Sequence, residues 1–289
     1  MLPRVQAIPM QNEDVSFRIS DIERLRYNTG LTMLRPYLFP VIGPGGRMAT
    51  RMGHPHDPVT HRHHYSLWVA HANVGGVDFW ADHGLTGRQV HTSILAIEDG
   101  DGTAAIALDI AWRTPDGRTP LRETRTYRMD ALPGGELLVE VSLELTAPEA
   151  GVTFGATPFG LAAVRMAKTM SVADGGGTIT NSEGAEGEEA ILWKPARWCD
   201  YSGPVTDYAV NGVSLFSHPA NGSHPCDWHV RSDGWMGACL SREAERVVPA
   251  GTSLPLRYAY YVHAGPCDFV RIEGRFGAFE DSAFRPCQH

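Results

Sequence analysis

Ile106, Leu108, Ile110 and Trp112 alternate along the chain with Ala105, Ala107, Asp109 and Ala111. A period of two sends successive side chains to opposite faces of a strand, so 103–113 is predicted to be extended. Thr114-Pro115-Asp116-Gly117 follows with turn chemistry, proline fixing φ and glycine accepting a positive φ. A second strand is predicted over 119–129, and Pro133-Gly134-Gly135 supplies the next turn. In a third, Leu137, Val139, Val141, Leu143 and Leu145 alternate against Glu136, Glu140, Ser142, Glu144 and Thr146. Alternation of this kind marks an antiparallel meander covered on one face.

Shorter segments read the same way: 16–27, 65–71, 177–181, 190–195, 212–218, 228–231 and 256–264. Strands at this spacing predict an all-β fold, a large two-sheet antiparallel β-sandwich of the supersandwich type with few short helices. No helical period lasts beyond two turns, and Gly274-Arg275-Phe276-Gly277 argues against a helix near the C-terminus. The Gly- and Glu-rich stretch 173–189 reads as a solvated hairpin or loop rather than a linker, so 1–289 is expected to form one domain. No repeat of 20–50 residues suggests a propeller or solenoid.

Composition sharpens this picture. Gly (31) and Pro (20) exceed one residue in six of 289, which favours strands and turns over helices. The net charge of -8, with no basic block, argues against a nucleic acid or an anionic membrane as partner. No apolar run is long enough to span a bilayer, and the first residues do not form a signal peptide, so a cytoplasmic location is expected. The five cysteines include no C-x-x-C pair and read as free thiols; Cys226, beside a His-rich segment, keeps a metal or redox role in view.

The chemistry concentrates in two segments. His54, His56, His61, His63 and His64 place five of the 13 histidines within eleven residues. If this segment is extended, His61 and His63 share a face and His64 takes the other, and the H-x-H pair would suit a metal. The second segment runs from His218-Pro219-Ala220-Asn221 to Trp228-His229-Val230-Arg231. Read as a strand, it puts His229, Arg231 and Asp233 on one face, an imidazole beside a guanidinium suited to a polyhydroxylated or anionic ligand. A third feature violates the pattern: Glu123 and Arg125 fall on the apolar side of their strand with Leu121, Tyr127 and Met129. They must form a buried ion pair or line a cleft, and Arg165 raises the same question. Trp68, Trp80, Trp193, Trp198, Trp228 and Trp235 accompany these segments and could serve as core or as sugar-stacking faces. The sequence has no G-x-S-x-G elbow, P-loop, H-E-x-x-H or dinucleotide fingerprint.

An ordered series runs through these residues: Arg35-Pro36-Tyr37, His61-x-His63-His64 with Leu67-Trp68, Val74 to Trp80, Trp198 to Gly203, His218 to Asn221, and Trp228 to Arg231. The series resembles a bacterial family of soluble proteins labelled "methane oxygenase PmoA-like". The methane monooxygenase subunit of that name is an integral membrane protein, and this chain has no spanning segment, so the label does not describe its function. The resemblance implies carbohydrate catabolism, and its β-rich pattern is similar to aldose-epimerase-like sandwiches, in which histidines and a carboxylate move protons at a sugar. Gly237-Ala238-Cys239-Leu240 departs from the Asn-Pro-Phe-Gly-like turn of relatives.

The leading expectation is thus an enzyme acting on a sugar or sugar-derived molecule by histidine acid/base chemistry, as an epimerase, lyase or hydrolase. His64 and His229 would exchange protons, with Glu123 as orienting group or base. Arg35, Arg165, Arg231, His218, Asn221 and Trp68 would hold the ligand. The alternatives are a metal-dependent enzyme, with His61 and His63 joined by His218, His224 or His229 in binding one divalent transition metal, and a non-catalytic carbohydrate-binding protein. The acid/base reading requires no cofactor. The oligomeric state is open.

Overall fold

The computed structural model describes residues 2–58, 61–148 and 150–287. Two antiparallel sheets dominate it. The nine-stranded sheet runs, in spatial order, Val5–Pro9, Val15–Ile19, Ile22–Asn28, Tyr37–Val41, Leu67–His71, Thr157–Arg165, Trp235–Ser241, Cys226–Arg231 and Pro195–Ala196. The eight-stranded sheet runs Thr178–Asn181, Trp198–Thr206, Ala209–Ser217, Ser253–Ala264, Leu137–Thr146, Leu121–Ala131, Thr103–Arg113 and Arg88–Glu98. Val152–Phe154 pairs with Arg246–Val248 in a small ribbon.

The meander forms in the expected place, Trp112 pairing with Leu121 and Arg122 with Thr146. Ile106, Leu108, Ile110, Trp112, Leu137, Val139 and Leu145 are fully buried between the sheets. Two local expectations fail. The segment 16–27 is two strands, because Ser20 and Asp21 take positive φ (48° and 66°) and turn the chain. Residues 190–195 hold the end of a short helix, Glu188–Ile191, and only the first residue of a strand. The strand expected over 177–181 forms as Thr178–Asn181 within the Gly/Glu-rich stretch.

The largest correction is the helix Phe269–Glu280, capped by Asp268, whose side chain accepts from Arg271 N. Ile272, Phe276 and Phe279 recur at helical spacing and bury one stripe against Trp198, Phe216, Ala259 and Tyr261. Tertiary packing outweighs the low propensity of Gly274 and Gly277.

Glu123 and Arg125 face the interior between the sheets, both with no exposure. Arg125 Nε lies 2.5 Å from Glu123 Oε1, and Glu123 Oε2 accepts from Trp112 Nε1 at 2.7 Å and Arg125 Nη2 at 2.9 Å. The pattern violation is therefore a buried ion pair. Both oxygens of Glu123 are occupied within the core, so orienting an imidazole is not a role its contacts serve.

Candidate active site

Leu67–His71, Thr157–Arg165, Trp235–Ser241 and Cys226–Arg231 are consecutive neighbours in the nine-stranded sheet. Strand alternation sends Leu67, Val69, Ala162, Val164, Trp228, Val230, Met236 and Ala238 into the sandwich. The intervening side chains Trp68, Ala70, Ala163 and Trp235 build a second apolar cluster on the outer face, completed by Tyr65, just before the strand Leu67–His71, and Trp80, in the loop after it.

The His-rich loop closes over this face. Gly53 N donates to His64 O at 2.8 Å, and a side chain at Gly53 would strike the Arg62 carbonyl at 1.8 Å, so the loop closes only with glycine there. His61 to His64 form a turn rather than a strand, with His64 N bonded to His61 O. The expected opposition of His61 and His64 is thereby overturned: their rings stack at 5.2 Å and 22°. His63 meets His64 edge-on at 4.8 Å, and His64 lies flat against Trp68 at 5.1 Å and 16°.

The two histidine segments converge. Asp233, in the turn after Arg231, has Oδ2 at 2.7 Å from His61 Nδ1 and Oδ1 at 3.2 Å from Arg165 Nη1. Trp235 lies 5.0 Å from His64 and 4.1 Å from His229, while Trp193 covers another side of His229 at 4.1 Å. His61 and Asp233 keep 26% and 34% side-chain exposure, so they stand at the solvent edge, whereas His64, Trp68, Arg165 and Trp235 are buried behind them.

The electrostatics divide the histidines. Burial, reinforced by Arg231, pushes His229 down to about 3. Burial and the neighbouring His63 and Arg165 carry His64 well below the usual histidine range. Both rings are neutral at pH 7. Burial alone would raise the Asp233 carboxyl, but the neighbouring His61 and Arg165 outweigh it and hold Asp233 below the usual carboxylate range. Asp233 Oδ2 thus stands at ion-pair distance from His61 Nδ1, although the contact is not well directed as a hydrogen bond.

Buried polar atoms without hydrogen-bond partners gather at this face: His64 Nδ1, Trp68 Nε1, Arg165 Nε and Trp235 Nε1. The His229 ring nitrogens also lack a well-directed hydrogen bond, although the Pro158 carbonyl acts on the ring. Native proteins satisfy nearly all such groups, so a concentration on one face points to a ligand or a functional need.

The family of unknown function DUF6807 matches residues 14–277. The chain belongs to that family. The matched family carries no functional description and not the PmoA-like label. No curated protein matches the chain. Among solved structures, a galactose 1-epimerase from Lactobacillus acidophilus NCFM is similar at 7% identity and TM-score 0.43, over 91% of this chain and all of that one. A TPR-domain containing protein from Parabacteroides distasonis ATCC 8503 is similar at 11% identity and TM-score 0.39, over 89% of this chain and 48% of that one.

In this DUF6807 chain the other expected site residues lie apart from the convergence point or support it indirectly. Arg35 is fully buried, stacks over Tyr65, and donates to the carbonyls of His63 (3.1 Å), Phe79 (3.0 Å) and Trp80 (2.5 Å). Burial draws it down to about 10. Its bonds tie the two covering loops together. His218 and Asn221 sit against the C-terminal helix: His218 meets Phe279 edge-on, and Asn221 brackets the Arg257 backbone with two 2.7 Å bonds. Arg231 stands at the rim, paired with Glu188 at 2.8 Å. His61 and His63 engage different carboxylates, Asp233 at 2.7 Å and Asp82 at 3.7 Å. Among the described residues no three His, Cys, Asp or Glu side chains converge as metal ligands would. Cys226 lies in the core, where burial pushes its thiol up to about 12.

Asp233 was visible in sequence only as a residue sharing a strand face with His229; its role in joining the segments needed the turn at Gly234 (φ 103°). Trp193 and Trp235 were indistinguishable from core tryptophans. Among the described residues no helix is long and apolar enough to cross a membrane.

Proposed function

We propose that this protein acts on a neutral, sugar-like small molecule at the face edged by His61, Asp233 and His229, with His61 as the proton-transferring base. The observation that carries the reading is the cluster of unpartnered buried polar atoms set among Trp68, Trp235 and the His61–Asp233 pair. Flat aromatic surface beside fixed hydrogen-bond donors suits a ring that is apolar on its faces and hydroxylated at its edge. Neutrality of the ligand follows from charge: Arg51, Arg62, Arg165 and Arg231 are each already paired, with Asp57, Asp82, Asp233 and Glu188. An anionic ligand would have to break one of these pairs.

Within this reading the proton-transfer role passes from His64 and His229 to His61. His64 and His229, held neutral, donate or accept hydrogen bonds without carrying charge. Asp233 orients His61 and stabilises the imidazolium that forms after proton abstraction. Epimerisation, elimination and hydrolysis can all begin with that step. No metal enters the proposal, since the turn at 61–64 directs His61 and His63 to separate carboxylates.

The test is a panel of neutral aldoses, ketoses and glycosides followed by proton NMR in deuterated buffer, with binding measured in parallel by calorimetry. Turnover or deuterium incorporation is expected for at least one compound, reduced about 10²–10⁴-fold in His61→Gln with affinity retained. Binding without turnover would replace the reading with a carbohydrate-binding protein, and full activity in His61→Gln would remove His61 as base.

A further inference from the structure

A cavity of about 380 Å³ opens beside the candidate site, lined by Ser223, Asp227, Cys239, Ser241 and Arg242 among others. It belongs to the same outer face of the sheet. Asp227 precedes His229 by two residues on one strand, which places it about 7 Å along the same side. On the adjoining strand His229 pairs with Gly237, and Cys239 continues that row toward the cavity. Asp227 is held by Arg242 at 2.8 Å, and Ser223 Oγ has no hydrogen-bond partner.

Trp193 joins the two places. Its ring lies 4.1 Å from His229 on one side, and the Arg242 guanidinium sits 5.8 Å from its centre on another. Its φ is +60°, a conformation rarely taken by a bulky side chain, fixed here by Trp193 N donating to Trp228 O at 2.8 Å. Backbone strain held by the surrounding structure marks positions where the side chain's direction matters. The direction imposed sets an indole between the His61–His229 face and the cavity.

We infer that the cavity is a second sugar subsite, so that the ligand spans at least two rings, a disaccharide or a glycoside with a polar second unit. This rests on the proposed function above. With Asp227 Oδ2 and Arg242 Nε engaged with each other and Arg242 Nη2 with Glu243, Asp227 Oδ1 and Arg242 Nη1 would face neighbouring hydroxyls, Ser223 would add one more contact, and Trp193 would cover the linkage between rings. The cavity carries both signs of charge and favours a neutral second unit like the first.

The experiment compares neutral monosaccharides with disaccharides built from them, such as glucose with maltose, cellobiose and trehalose, and galactose with lactose, by calorimetry. At least one disaccharide is expected to bind about tenfold more tightly than its constituents, roughly the worth of one charge-assisted hydrogen bond. Asp227→Asn and Ser223→Ala should each reduce that advantage while leaving monosaccharide affinity within about twofold. Asp227→Asn preserves shape, and an unchanged melting temperature in each variant separates lost binding from lost folding. Equal affinity for one and two rings, or equal losses for both in the variants, overturns the subsite and leaves the function standing. Binding of no sugar at all overturns both.

Discussion

Replacing Glu123 by glutamine keeps the shape of the side chain and removes its charge. In the parent, Arg125 is wholly buried, receives Glu123 through two bonds of 2.5 and 2.9 Å, and otherwise donates to Gln89 Oε1 at 3.0 Å and Tyr127 Oη at 3.1 Å. The variant leaves the guanidinium charged in the core with neutral partners, and an amide hydrogen must face either Arg125 or Trp112 Nε1, both donors. Removing one partner of a buried pair costs about 3–5 kcal/mol. At about 2–4 °C per kcal/mol for domains near this size, the melting temperature should fall by roughly 6–20 °C. The double change Glu123→Leu with Arg125→Met removes both charges and should recover most of the loss, since hydrophobic replacement of a buried pair is commonly neutral or stabilising. Urea unfolding followed by tryptophan fluorescence, with calorimetric melting alongside, measures both. A single variant within about 1 kcal/mol of the parent would refute the buried-pair account and reopen a site role for Glu123.

Stability should also depend on pH through His263 and Asp200, both without exposure and 2.7 Å apart. Burial alone would lower His263, but Asp200 outweighs it and raises the folded value above 6.5, so its contribution is complete below that pH and lost as pH rises through the folded value. Asp200 is shifted the other way against burial, chiefly by His263, so its contribution holds above 3.8 and fades as acid is added. Between pH 6 and 9 the parent should therefore lose more melting temperature than His263→Gln; parallel curves would refute the pairing. Phe276→Ala removes a fully buried ring of the C-terminal helix and should cost about 3–5 kcal/mol in urea unfolding. A loss below about 1 kcal/mol would mean that the helix is not docked as described.

How much was legible in the sequence follows from the range of the interactions. The meander was readable because a strand covered on one face repeats its demand every two residues, as Ile106 to Trp112 and Leu137 to Leu145 do. The buried pair at Glu123 and Arg125 was visible as a violation of that repeat, though not which of its two explanations held. The C-terminal helix was missed because its glycines weaken the local signal, and only the surface offered by Trp198 and Phe216 makes Ile272, Phe276 and Phe279 a buried stripe. The turn at 61–64 was read as a strand because nothing local shows which residues the loop must cover.

The sequence by itself determined the all-β sandwich, its central meander and the two histidine-rich segments from which the candidate site is drawn. Only the tertiary structure decided that these segments meet. Leu67–His71 and Trp235–Ser241 are far apart along the chain, and they flank the single strand Thr157–Arg165 because the chain crosses to the other sheet and back between them. The contact of His61 with Asp233 thus depends on strand order in the nine-stranded sheet, which hydrophobic periodicity does not encode, since every strand presents the same alternation whichever neighbour it takes.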